Sequence, residues 1–334
     1  MKKEARIWKT ISEGKVQCNL CNHNCKISNN NTGICGVRKV ENNKLNTLIY
    51  GSCSSIHTDP IEKKPLYHFY PGTNALSLGT IGCNFKCLHC QNYSISTADI
   101  NYPYLKEITP EDSVKYAKQY KCQGIAYTYN EPTIWYEFTY DSAKVAKENN
   151  LYTVYVTNGY ISKDPLEEIS SNLDAMNIDV KAFKEDFYKK VCKAKLQPVL
   201  ETCIYAKELG IHIELTYLVI TGINDSLREI KNFIRWIIEK LGDDTPVHFS
   251  CFHPDYKMTD ISRTPMDTML KIYNLAKQEG LLFPYLGNII HGDYEDTHCP
   301  KCGNICILRN GFIIEKDGIK DGNCSKCGFK ILKQ

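Results

Sequence analysis

Gly82-Cys83-Asn84-Phe85-Lys86-Cys87-Leu88-His89-Cys90-Gln91-Asn92 follows directly on the apolar run Ala75–Ile81, and the two together decide the fold. A short apolar run of this kind reads as a buried strand, so the spacing Cys83-x3-Cys87-x2-Cys90 falls on the loop after it. Three thiolates on one tight loop can hold three corners of a four-iron cluster, which leaves the fourth iron without a protein ligand. An open metal position can bind a substrate directly. The other use of three close cysteines is a zinc knuckle, for which His89 or a distant cysteine would have to supply a fourth ligand.

Working outward, further apolar runs at Gly124–Thr128, Thr153–Val156, Ala175–Val180, Ile211–Val219, Val247–Cys251 and Leu282–Leu286 alternate with amphipathic stretches. One helix starts at Thr109-Pro110-Glu111-Asp112, with a threonine N-cap, proline at the first position and an acid at the third. Another spans about Ser226 to Lys240 with Leu227, Ile230, Ile234, Ile237 and Ile238 on one face. A third opens at Thr264-Pro265 and closes at Gly280. Buried strands alternating with such helices mean parallel βαβ units. A complete eight-fold barrel typically uses about 250 residues. About 210 residues and six or seven strands therefore predict an incomplete barrel or open curved sheet, which binds ligands at the C-terminal ends of its strands. The Cys83 loop lies at that end.

The 334 residues are 43% hydrophobic and 24% charged, a globular balance. A formal net charge of +3 without basic runs does not indicate nucleic acid. Met1-Lys2-Lys3-Glu4-Ala5-Arg6 leads into no apolar region of signal-peptide type, and no apolar run approaches membrane-span length. A cytoplasmic protein is expected, so the seventeen cysteines need a reason other than disulfides. Cys53, Cys122, Cys192, Cys203 and Cys251 stand alone and read as small buried apolar residues. The rest form the Cys83 group and two outer sets.

Cys299-Pro-Lys-Cys302-Gly and Cys324-Ser-Lys-Cys327-Gly read as paired knuckles of a zinc-ribbon-like or rubredoxin-type module, with zinc first and iron second; Cys306 is not expected to be a ligand. Cys18-x2-Cys21-x3-Cys25-x9-Cys35 fits either structural zinc or a second iron–sulfur cluster, with His23 near enough to compete. As zinc it would be a fold staple; as iron, an electron relay or substrate anchor. The domains expected are 1–68 (the four-cysteine segment and lead-in), 69–288 (the core) and 289–334 (the C-terminal module).

The Cys83 loop resembles the signature of the radical S-adenosylmethionine (SAM) superfamily. That resemblance implies an α/β fold, a radical SAM partial (β/α)6 TIM-like barrel flanked by the two cysteine modules. It also implies a [4Fe-4S] cluster on Cys83, Cys87 and Cys90, with SAM chelated to the free iron. One electron breaks the C5′–S bond of SAM, and the 5′-deoxyadenosyl radical then abstracts a hydrogen atom. Further SAM contacts follow from matching segments: Phe85 in the loop, Glu131 in Tyr127-Thr128-Tyr129-Asn130-Glu131-Pro132, and Thr157, Asn158 and Gly159 after the third strand. The Glu131 segment resembles a Gly-Gly-Glu-Pro type but lacks its glycines; the alternative is a loop or helix N-terminal glutamate with no partner. Thr-Asn-Gly is also an ordinary strand-to-loop turn. Asp179 and Lys181 look like the Asp-x-Lys of glycyl-radical activating enzymes, or form an ion pair inside the barrel. Thr221-Gly222-Ile223-Asn224-Asp225 resembles a turn of the same enzymes, and His253 near the mouth is either a loop cap or, where a substrate reaches it, a hydrogen-atom or proton partner.

Cys18–Cys25, Gly33–Arg38, Asp59–Gly72, Asn130–Pro132, Tyr285–Asn288 and the terminal knuckles together resemble the AmmeMemoRadiSam radical SAM family, relatives of pyruvate formate-lyase activating enzymes. The resemblance implies a ferredoxin- or flavodoxin-type electron donor and association with Memo-type and AMME-type proteins. It names no substrate: a partner protein, a small molecule or RNA all remain. In Asp59–Gly72, Glu62, Lys63, Lys64 and His68 either line a substrate entrance or simply lead into the first strand. The reading of another class is a metal-stapled nucleic-acid- or protein-binding module. It has no reason to place Glu131 and Thr157–Gly159 at strand ends beside the Cys83 loop.

Overall fold

Each apolar run becomes a strand of one central sheet. In the computed structural model residues 1–289 and 293–332 are described; 290–292 and 333–334, which fall in the expected C-terminal module, lie outside the described residues. The strands of this sheet are β1 (Ser55–Pro60), β2 (Asn74–Gly79), β3 (Gly124–Tyr127), β4 (Tyr152–Thr157), β5 (Ala175–Asp179), β6 (His212–Val219), β7 (Val247–Cys251) and β8 (Pro284–Gly287). They lie side by side in chain order. β1 is antiparallel to β2, and β2 to β8 are all parallel.

The crossovers carry α1 (Pro110–Gln119), α2 (Tyr136–Glu148), α3 (Lys163–Ser170), α4 (Leu196–Glu208), α5 (Leu227–Leu241) and α6 (Met266–Gln278). Six β/α units followed by a seventh parallel strand make a partial barrel, because β8 does not pair back onto β1 or β2 among the described residues. The middle strands are buried along almost their whole length, as expected where one face meets helices and the other the barrel interior.

Local chemistry explains the helix starts. Thr109 Oγ1 accepts from Asp112 N at 3.1 Å, and Asp112 Oδ2 accepts from Thr109 N at 3.0 Å. These bonds satisfy two backbone donors at the entry to α1. In α5 the buried stripe is Ile230, Phe233, Ile234, Ile237 and Leu241. Leu227, expected on it, is instead 46% exposed, because the first turn precedes contact with the sheet.

The N-terminal segment packs two small antiparallel sheets onto the barrel. Its Val16, Leu20, Ile27, Val37, Val40 and Leu45 share one core with the barrel. Arg38 donates to both oxygens of Glu137 on α2 at 2.8 Å, with both side chains buried. The C-terminal module instead has a core of its own, in which Cys299, Cys306, Cys324, Ile331 and Leu332 pack on Tyr67, Phe283 and Tyr285. Phe283 and Tyr285 lie at the start of β8, so this module covers the bottom of the barrel.

Residues 61–72 join the two ends of the molecule. Descending from β1, they cross the barrel interior before β2 rises. Glu214 on β6, fully buried, accepts from the backbone N–H of Tyr67 at 3.0 Å and of His68 at 2.7 Å. Asn177 Nδ2, on β5, donates to Pro65 O at 2.7 Å. From below, Arg309 of the C-terminal module donates to Tyr67 O at 2.9 Å and lies 3.9 Å from Glu62.

Candidate active site

A cavity of about 430 Å³ opens at the C-terminal ends of the strands, within the size range of small-molecule and cofactor sites. Cys83, Cys87 and Cys90 line it from the loop after β2. Phe85 does so from the same loop, with Glu131 after β3, Thr157 and Asn158 at the end of β4, and Asp179 and Lys181 at the end of β5. One candidate falls elsewhere: Gly159 does not line the cavity. Its φ of +67° turns the chain, and a Cβ there would lie 2.7 Å from Ile178 in the core. Its contribution is the shape of the turn that presents Thr157 and Asn158.

The pieces are tied to one another. Glu131 accepts from Thr157 Oγ1 at 2.7 Å, Asn158 N at 2.8 Å and Thr133 N at 3.0 Å. An ionised carboxylate offers about four acceptor sites, so one remains for a cationic or metal-bound amine. Burial pushes its pKa above the usual carboxylate range, against these hydrogen bonds. Asn158 Nδ2 donates to Asn84 Oδ1 at 2.8 Å, which ties the β4 turn to the cysteine loop. Lys181 donates to Asp179 at 2.6 Å while both line the cavity, so ion pairing and cavity exposure hold together. Burial would lower the Lys181 pKa, but Asp179 and Cys87 hold it above the ordinary lysine value.

Residues 59–72 divide in two. Lys63 and Lys64 line the cavity, each donating to Asp59, at 2.8 and 2.7 Å, and Asp59 also accepts from Tyr129 Oη at 2.8 Å. Glu62 and His68 face away from it: Glu62 accepts from Gly72 N at 2.9 Å, and His68 bonds to Ile331 O and Tyr285 Oη at 3.0 and 2.6 Å. The segment thus floors the cavity with its first half and seats the C-terminal module with its second. His253 stands outside the cavity, bonded at 2.9 Å to Gln91, a lining residue. The Thr221–Asp225 turn is also outside, and its Asn224 Nδ2 braces Lys181 O at 2.8 Å.

Two further residues stand beside the cysteines. Cys192 is fully buried, and its thiol lies close enough to that of Cys87 to raise the Cys87 pKa. Its own carbonyl accepts from Lys86 N at 3.0 Å, clamping the loop. His89 is 4% exposed and lines the cavity, yet neither ring nitrogen has a hydrogen-bond partner among the described residues. A buried polar group without a partner is costly, so His89 fits a ligand that supplies one. Three thiols on one wall, an unsatisfied imidazole and a carboxylate with one free acceptor site suit an iron–sulfur cluster carrying a chelating cofactor.

The outer sets differ in geometry. In the C-terminal module Cys299, Cys302, Cys324 and Cys327 bring their sulfurs within 4.8 Å of one another, and Cys306 stays outside that group. Cys299 to Cys327 is 3.5 Å and Cys302 to Cys324 is 3.8 Å. Among the described residues no other three histidine, cysteine or acidic side chains gather so closely. In the N-terminal set His23 spends its Nε2–H on Asn84 O at 2.8 Å.

The general model of the Radical SAM superfamily matches residues 78–237. The chain is 46% identical over 332 residues to an uncharacterized protein of Methanocaldococcus jannaschii, covering 98% of each. It is 24% identical to the pyruvate formate-lyase-activating enzyme of Clostridium pasteurianum, over 59% of this chain and 87% of that one. Its fold is similar to that of a radical SAM methyltransferase from Sphaerobacter thermophilus, with a TM-score of 0.50 at 14% identity over 65% of this chain and 67% of the other.

Proposed function

This chain belongs to the radical SAM superfamily and is an enzyme, and on that premise we propose that it cleaves SAM reductively at a [4Fe-4S] cluster on Cys83, Cys87 and Cys90. The observation that carries the proposal is the convergence of these thiols with Glu131, Thr157, Asn158 and Asp179 on one cavity. When bound, the cluster and SAM supply a 5′-deoxyadenosyl radical that removes a hydrogen atom from a substrate C–H bond. The chain's own residues hold and orient. Cys83, Cys87 and Cys90 would ligate the cluster, Glu131 would accept from the SAM amine, and Asp179 with Lys181 would set the local charge. Lys63 and Lys64, paired with Asp59, bring positive charge to the cavity wall.

We assign the finer family as AmmeMemoRadiSam, with the domain bounds 1–68, 69–288 and 289–334. The substrate is a partner protein, as for glycyl-radical activation. This is supported by the activating-enzyme relative and by the Asp179–Lys181 pair in the cavity. The electron donor is of ferredoxin or flavodoxin type, Memo-type and AMME-type proteins are the associated partners, and zinc occupies the C-terminal set. Among the described residues no helix is long and apolar enough to cross a membrane.

The test is anaerobic incubation of the reconstituted full chain with SAM and dithionite. Wild type is expected to release 5′-deoxyadenosine, and the variant C83A/C87A/C90A to release none. No product from wild type, or equal product from both, removes the proposal.

A further inference from the structure

We propose that Cys18, Cys21, Cys25 and Cys35 hold a second iron–sulfur cluster, placed against the Cys83 loop so that electrons enter the active site through it. Four free cysteines meet here from two arms of the N-terminal segment. Cys18 closes the strand Lys15–Cys18 and Cys25 precedes its partner Lys26–Ser28, with Cys18 N donating to Cys25 O at 2.9 Å. Cys35 comes from the following turn, whose Gly33 lies against Cys25: a Cβ there would be 3.7 Å from the Cys25 sulfur.

Spacing distinguishes the metal. One zinc ion with Zn–S bonds of about 2.3 Å draws its four sulfurs to about 3.8 Å from one another. The C-terminal set has that spacing, at 3.5 and 3.8 Å. Among the described residues only the C-terminal four form such a closed group; the N-terminal four do not, and in this they match Cys83, Cys87 and Cys90. A four-iron cube places each cysteine on a different iron and needs the wider frame. Positive charge stands ready beside it, since Arg38 is buried next to Cys18 and Cys35 and locked by Glu137.

Position gives the role, which rests on the radical reading; the metal assignment does not. Cys35 O would lie 2.9 Å from a Cβ on Gly82, the residue before Cys83. His23 bonds Asn84, the residue after it. One side of the set therefore abuts the catalytic loop. The other reaches solvent, where Cys21 and Cys25 are half-buried between exposed Asn24, Lys26 and Ile34. A low-potential one-electron donor would reduce the outer cluster by one electron. That electron would pass to the Cys83 cluster and on to the sulfonium of SAM, with no bond or proton moved in the relay itself.

The experiment uses full-length C83A/C87A/C90A, reconstituted anaerobically, and full-length C21S/C25S, altered only at the half-buried positions. The first variant is expected to keep about four irons and four sulfides per chain, with a reduced-cluster EPR signal that SAM does not change. The second is expected to lose those irons and keep the SAM-sensitive signal. It should fall at least about tenfold in 5′-deoxyadenosine formed with a reduced ferredoxin, compared with wild type. Zinc in place of iron in the first variant, or equal iron in wild type and C21S/C25S, overturns the cluster. Unchanged ferredoxin-driven turnover in C21S/C25S overturns the relay. Absence of any SAM-sensitive signal in wild type, with the iron of the first variant present, removes the radical reading and leaves the second cluster standing.

Discussion

The two ends of the chain each carry four cysteines, yet they are built for different work. The C-terminal four close around a point, at the bottom of the barrel, in a small core of their own. The N-terminal four spread wider, share the barrel's main core and lean on the loop that carries Cys83. The bottom face of such a barrel serves stability and the top face serves chemistry. A thiolate set is thus defined by its spacing and by the face it occupies, more than by its count.

The sharpest way to break this contrast is to remove the closed set. C302S/C327S is expected to release the C-terminal metal and unfold the module, because structural zinc binding is worth on the order of 10 kcal/mol of folding free energy. Thermal unfolding read beside metal content checks it, and an unchanged melting profile would show the set to be no staple. E137A, which strands buried Arg38, is expected to cost about 3–5 kcal/mol in chemical denaturation; a loss near zero would mean that the N-terminal segment docks without that pair.

Acid probes the bottom face next. Burial holds His68 down to about 4 from its ordinary 6.5, so the folded state resists a proton that the unfolded chain accepts. Stability is fully present above pH 6.5 and falls as the pH drops from 6.5 toward 4. H68Q should flatten that part of a stability–pH profile; an unchanged slope would assign it to other groups. The smallest effect is expected from C192A. Losing the thiol beside Cys87 should lower the midpoint potential of the cluster on Cys83, Cys87 and Cys90 slightly, with iron content unchanged, as potentiometry with EPR detection would read.

Most of the framework was legible because it is local. Every strand of the parallel sheet was expected within two residues of its observed bounds, since an apolar run between turn residues is a short-range signal. The Cys83 loop and both outer sets were equally plain. What was hidden depends on residues far apart in sequence. The reach of Glu131 to Thr157 and Asn158 spans 26 and 27 residues, and that of Arg38 to Glu137 spans 99. Neither leaves a periodic trace. Cys192 looked like any small buried residue until the π-turn Tyr188–Cys192 set it beside Cys87. In Asp59–Gly72 the charges could be read, but not that Lys63 and Lys64 turn upward while Glu62 and His68 turn down.

That division gives residues 61–72 two masters. Lys63 and Lys64 line the cavity from this segment, and its Tyr67 is gripped on the other side by Arg309 from the four-cysteine module. A metal bound below and a ligand bound above therefore act on one shared element, and thermodynamics makes such influence mutual. If filling the C-terminal set firms the floor and tightens SAM binding by some factor, SAM must tighten the hold on that metal by the same factor. Loss of either occupant would then loosen the hold on the other.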